Sequence, residues 1–226
     1  MSKVTEDFNK LWEQKVIKKP LVILYGGYAG TGKSTTCERI MELIDYTTNL
    51  PTGVIRSSIA DYLTNKDVEL ISSHTYQLHN IREYLDPNSK QSREEIINRF
   101  LKQISPIAKA INSVITFAAS EKQHLIIDGN HVFPGLIKEH PEVHLLEFYN
   151  KVTDIDQHYK MLGGPTHSRD LSEDEFKTAR ILHDFTVDEC ARYNKTIYEY
   201  NISKDMVEKE IDTTLRQIIN EYIEYY

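Results

Sequence analysis

Eight residues constrain this chain more than any others: Gly27-Tyr28-Ala29-Gly30-Thr31-Gly32-Lys33-Ser34. They fit the pattern G-x-x-x-x-G-K-[ST], in which glycines let backbone N–H groups turn inward around phosphate oxygens without a Cβ in the way. Both flanks fit as well. Leu21-Val22-Ile23-Leu24-Tyr25 is a continuous apolar run that stops at glycine, as a strand buried on both faces of a parallel sheet would. Downstream, Cys37, Ile40, Met41 and Ile44 recur at spacings of three and four, so a helix opens near Lys33 and turns its positive end toward the same anion. Together these features imply ATP or GTP binding through Gly27 to Thr35. Lys33 would reach the β- and γ-phosphates, and the Ser34 hydroxyl would ligate Mg²⁺.

The alternation continues along the chain. Val4, Phe8, Leu11, Trp12 and Val16 predict an amphipathic lead-in helix within residues 1–19, ended by Pro20. A second apolar segment, Gly53-Val54-Ile55, leads into Arg56-Ser57-Ser58, with a short helix expected over Ile59–Leu63 behind a serine cap. Ser92-Arg93-Glu94-Glu95 has capping-box spacing and starts the longest helical pattern, which runs towards Ser120 and which Pro106 should kink or split. Leu125-Ile126-Ile127-Asp128 and Val143 to Tyr149 read as further strands. Helical patterning resumes from Ser172 to about Asn194, Thr196–Tyr200 reads as the last strand, and Ser203 is the expected cap of a final helix. Strands alternating with helices predict one α/β domain over 1–226, with a mainly parallel, doubly wound sheet.

Composition narrows the setting. Hydrophobic residues at 40% and charged residues at 27% are those of a globular chain, not a disordered one. No apolar run approaches the roughly 18 residues of a membrane helix, and the polar start, Met1 to Asp7, is unlike a signal peptide. The expectation is therefore a cytoplasmic protein without a membrane partner, its two cysteines reduced and Cys37 on the inner face of its helix. The net charge of −7 weighs against a non-specific nucleic-acid coat. His158, His167 and His183 lack zinc-ligand spacing. Nothing in the pattern sets the oligomeric state.

The fate of the γ-phosphate follows from other residues. Asn65-Lys66-Asp67-Val68 places its aspartate one residue too early for the guanine-reading motif of a regulatory GTPase. Asp128, at the end of an apolar run and followed by Gly129-Asn130-His131, stands where open α/β sheets place ligands. There it would hold Mg²⁺ through water or take the proton of a substrate hydroxyl, with His131 as a substrate contact. Phosphoryl transfer spreads negative charge over equatorial oxygens, so a cationic lid is expected over about 160–180. Gly163-Gly164 would be its hinge, and Arg169 and Arg180 are the catalytic candidates, ahead of Lys160 and Lys177.

The phosphate loop together with Ile126-Ile127-Asp128-Gly129-Asn130-His131-Val132-Phe133-Pro134-Gly135, and later Phe176 to Phe185 and Asp188 to Asn194, resembles the 2-phosphoglycerate kinases over roughly residues 21–219. The resemblance implies a three-layer P-loop kinase fold with a helical lid, ATP and Mg²⁺ as cofactors, and an acceptor held near Arg56, Ser57 and His131. One departure stands out. Where that family has Thr-Asp-x-Ile-Arg, this chain has Arg56-Ser57-Ser58-Ile59-Ala60. An acid and an arginine are thereby missing, while Arg56 offers a planar fork for an anion. Three functions remain in view: a kinase for a small anionic acceptor; a kinase for a nucleotide or a nucleic-acid hydroxyl (a 5′-end or a hydroxymethylated base), with His74 to His79 as a stacking stretch; and a non-catalytic NTP-binding module.

Overall fold

The computed structural model describes residues 2–62, 67–81, 92–163 and 170–223. Five strands form one parallel sheet in the order β2-β3-β1-β4-β5: β1 Leu21–Gly26, β2 Thr48–Pro51, β3 Leu125–Asp128, β4 His144–Lys151 and β5 Ile197–Glu199. The helices are α1 Lys3–Glu13, α2 Lys33–Leu43, α3 Thr52–Ala60, α4 Asp67–Ser72, α5 Arg93–Glu121, α6 Ile155–Leu162, α7 Glu173–Arg192 and α8 Tyr200–Ile223, with a 3₁₀ turn at Thr75–Asn80.

All six residues of β1 are buried, as a strand with a neighbour on each edge and helices on each face must be. Its side chains alternate between two cores. Leu21, Ile23 and Tyr25 pack with Phe8 of α1, Cys37 and Ile40 of α2, and Val207, Ile211 and Leu215 of α8. Val22 and Leu24 face Ile107, Ile111 and Ile115 of α5. Truncating one of these side chains to alanine costs about 2–5 kcal/mol. A third cluster joins Tyr28, Tyr76, Phe100, Phe133, Leu162 and Leu182, roofing the end of the sheet that carries the glycine loop.

Several expectations change. Gly53-Val54-Ile55 is helical: α3 begins at Thr52, so Ser58 lies inside it and caps nothing. The neighbouring strand is the polar segment Thr48–Pro51, which among the described residues pairs only with β3. An edge strand is not enclosed on both sides and needs no apolar run, so hydrophobic patterning passes over it. Helix α5 runs unbroken through Pro106. Ser203 does not cap α8, which starts at Tyr200; it is buried inside the helix, its hydroxyl donating to the Tyr200 carbonyl. By contrast, the expected capping box is present, Ser92 with Glu95, and the structure adds a second that the helical patterning from Ser172 did not specify, Ser172 with Glu175, each worth about 1 kcal/mol. Cys37 and Cys190 are free and buried, and burial pushes both thiols up, Cys190 to about 12. Among the described residues no helix is long and apolar enough to cross a membrane.

Candidate active site

The C-terminal ends of β1, β2 and β3 open into a cleft of about 770 Å³. One wall is the glycine loop. Gly27, Gly30 and Gly32 all take positive φ, and a Cβ on Gly27 would stand 2.4 Å from the Asn150 carbonyl oxygen. Ala29 to Thr35 line the cleft, whereas Tyr28 turns its ring into the helical roof and Gly27 lies behind the loop. Lys33 is only 7% exposed and folds over the loop, its Nζ donating to the Tyr28 carbonyl at 2.7 Å with Thr31 Oγ1 at 3.4 Å.

Two side chains to which no sequence motif assigns a part in phosphate binding hold this loop. Asn150, at the end of β4, donates from Nδ2 to the Thr31 carbonyl at 2.8 Å and to Ser203 Oγ at 3.1 Å, while its Oδ1 accepts from Tyr25 at 2.8 Å. His158 of α6 bonds the Ala29 carbonyl through Nε2 at 2.9 Å. That nitrogen must carry the proton, so Nδ1 is left to accept from Arg180, 3.4 Å away. Burial holds the His158 ring neutral, with its pKa lowered to about 4. Arg180 also donates to the Val152 carbonyl at 2.8 Å and pairs with Asp184. It therefore stands one residue behind the loop and is not part of the cleft lining. Lys160 and Gln157 of α6 do reach the cleft, while Lys177 is exposed on α7. Arg169 and Gly164 lie outside the described residues.

The facing wall rests on the string Asp128-Gly129-Asn130-His131. Asp128 ends β3 beside Tyr25 of β1, 8% exposed, with a buried Oδ1 that has no hydrogen-bond partner among the described residues. Gly129 sits at φ +139, where a Cβ would lie 1.9 Å from Thr52 Oγ1. Asn130 donates to Thr75 Oγ1 at 2.9 Å and so ties down the 3₁₀ turn. His131 Nδ1 meets Thr52 Oγ1 at 3.1 Å, tying down the start of α3. Its Nε2 is buried without a partner among the described residues, and burial, then the Arg56 and Lys33 charges, lower its pKa to about 3. Asn49 of β2 adds a third unpartnered buried atom, Oδ1, on the cleft lining.

Arg56 also lines the cleft, but part of its fork is committed. Nη1 donates to the carbonyls of Ile71 at 2.9 Å, Ser73 at 3.0 Å and Ser72, the closing residues of α4 and the one after it. Nε and Nη2 make no such bond among the described residues. Ser57 is exposed on α3 and is not part of the lining. His74 and Tyr76 stand at the rim with rings stacked 5.2 Å apart and 6° from parallel.

The donors on this cleft suit a magnesium nucleotide. A glycine cradle in which a Cβ on Gly27 or Gly30 would clash stands with Lys33 and Ser34 on one side, and a carboxylate oxygen unpartnered among the described residues stands on the other. Lys33, Arg56 and Lys160 outnumber Glu38 and Asp128 on its lining, against a chain charge of −7.

No family profile matches the chain. It is similar to curated proteins named 2-phosphoglycerate kinase: 23% identical over 222 residues to that of Methanopyrus kandleri, covering 93% of this chain and 63% of the relative. It is 30% identical over 122 residues to that of Pyrococcus furiosus (54% and 39%) and 20% over 216 residues to that of Methanococcus maripaludis strain C7 (93% and 69%). The chain thus spans less than two thirds of the length of the first of these relatives. The resemblance read from the phosphate loop and the Asp-Gly-Asn-His string is borne out, as is the α/β fold with its parallel sheet.

Proposed function

We propose that the chain is an ATP- and Mg²⁺-dependent kinase that phosphorylates a hydroxyl of a small anionic acceptor resembling 2-phosphoglycerate. The observation that carries this reading is Asp128: a buried carboxylate with an unpartnered oxygen, in one cleft with the glycine loop and Lys33. The loop amides and Lys33 hold the β- and γ-phosphates. Ser34 and, through water, Asp128 are the residues that would hold Mg²⁺, whose charge neutralises the phosphate oxygens. Asp128 accepts the proton of the acceptor hydroxyl. That oxygen bonds to the γ-phosphorus as the bond to the bridging oxygen breaks, and ADP leaves. His131 Nε2, Asn49 Oδ1 and the uncommitted edge of Arg56 orient the acceptor. Arg180, with Asp184 behind it, positions His158 and through it the Ala29 carbonyl.

The names of the similar proteins and the cationic lining favour a phosphorylated, carboxylated acceptor. The stacked His74 and Tyr76 at the rim favour a second reading, a nucleotide acceptor. Transfer of labelled γ-phosphate across glycerate phosphates, nucleosides, nucleotides and oligonucleotides separates the two. Label on 2-phosphoglycerate that disappears in Lys33→Ala supports the first reading. Label on nucleotides alone replaces it with the second, and tight ATP binding without transfer to any acceptor overturns both.

A further inference from the structure

A second cleft, of about 800 Å³, opens at the other end of the sheet. Its lining includes Trp12, Ile17 and Tyr46 together with Lys15, Lys18 and Lys122, which come from the end of α1 and the α1–β1 connection, the α2–β2 loop and the residue that follows α5. His124, in the wall of an adjoining cleft shared with Trp12, Tyr46 and Lys122, immediately precedes β3. Asp128 closes that strand, so about 13 Å of strand separates this end from the phosphate site.

Three features mark this cleft. First, Lys15, Tyr46 and Lys122 take φ of 58°, 60° and 54°; among the described residues only Asn194 is another non-glycine with positive φ. Each stands at a chain reversal where glycine would carry no steric cost, and all three side chains meet at one cleft. Second, the three lysines face one carboxylate, Glu13, which already accepts from the Tyr46 hydroxyl at 3.0 Å. The Lys15 and Lys122 ammonium groups have no side-chain partner among the described residues. Third, His124 is 2% exposed and its ring lies 4.1 Å from that of Trp12. Its Nδ1 accepts from the Leu21 amide at 2.9 Å, which puts the proton on Nε2, a buried donor without an acceptor among the described residues.

Planar aromatic side chains, unpaired cations and a volume suited to one small molecule describe the recognition of a heteroaromatic anion. We propose that this cleft binds a free nucleoside phosphate, with the base against Trp12 and Tyr46 and the phosphate among Lys15, Lys18 and Lys122. The site is independent of the phosphate loop.

Trp12 is the only tryptophan of the chain, so indole emission reports on this cleft directly, whatever reaction the other site performs. ADP titrated into the full chain should give a saturable change in Trp12 emission. The double substitution Lys15→Glu/Lys122→Glu should weaken the apparent Kd about tenfold or more, the equivalent of about 1.4 kcal/mol, with far-UV dichroism and phosphotransfer unchanged. Lys122→Gly should raise Tm by about 2–4 °C while weakening ADP binding, because it removes a strained residue together with a cation. The proposal is overturned by a flat titration, by a curve the double substitution does not move, or by ribose 5-phosphate or inorganic phosphate producing the same change at the same concentration.

Discussion

The two walls of the phosphate cleft are built from different materials. The loop wall is main chain: amides and glycines of Ala29–Thr35, fixed from behind by Asn150 and His158. The facing wall, where the proposed acceptor would sit and hence called the acceptor wall, is side chain: Asn49, Thr52, Arg56, Tyr76 and His131, gathered from three stretches of sequence over Asp128. A phosphate is the same ligand in every nucleotide, so a backbone cradle serves it and is written in one contiguous string. An acceptor is particular, and side chains that meet only in the fold must recognise it.

The largest effect that would test this contrast is on the loop wall. Lys33→Ala should lower kcat/KM for phosphotransfer by about 10³ in a steady-state assay while leaving the melting curve in place. Full activity in this variant would remove the loop from the chemistry.

The acceptor wall should fail structurally before it fails chemically. Gly129→Ala brings a Cβ against Thr52 Oγ1 in a backbone conformation reserved for glycine, and should cost about 3 kcal/mol in urea unfolding. Adding Thr52→Ala should recover part of that loss by removing the clash and leaving the φ. Equal stability of the two variants would separate Gly129 from Thr52.

Acid should erode both walls. His131 and His158 are held neutral with pKa values of about 3 and 4, and His124 behind β3 at about 4. The unfolded chain protonates these rings near pH 6.5 and the folded chain does not, so their contribution is present above pH 6.5 and lost as pH falls toward 4. Unfolding free energy should drop by about 1–2 kcal/mol between pH 7 and 6, mostly from these three rings. His131→Gln should take out the acceptor wall's share of the slope, and His158→Gln the loop wall's.

The smallest effect belongs to Arg56. Arg56→Lys keeps the charge and loses the fork, and should raise KM for the acceptor about threefold to tenfold with KM for ATP unmoved. Parallel changes in both constants would mean that the residue serves the architecture alone.

What was legible in the chain follows the same division. The buried strands β1 and β3, the glycine loop and the Ser92–Glu95 capping box were readable because each is a local pattern enforced by burial or by a few consecutive residues. Asp128 was readable from its place at the end of an apolar run. The edge strand Thr48–Pro51 was not, since a strand with one neighbour needs no apolar signature. Nor were Asn150 and His158, whose partners lie 119 and 129 residues away. The charge of Arg180 is plain in the chain, yet its place behind His158 depends on the packing of α6 against α7.

Helix α4 has six residues, too few to persist on its own. Its closing carbonyls are held from outside, by Arg56 of α3 and by Gln103 of α5, which bonds Leu70 and Ser73 at 2.7 and 2.9 Å. The helix is thus a guest of two hosts, and one of them lines the cleft. An anion that draws the guanidinium inward tugs on backbone fifteen residues downstream, so acceptor arrival should be audible in the hydrogen–deuterium exchange of α4 amides, away from any atom that reacts.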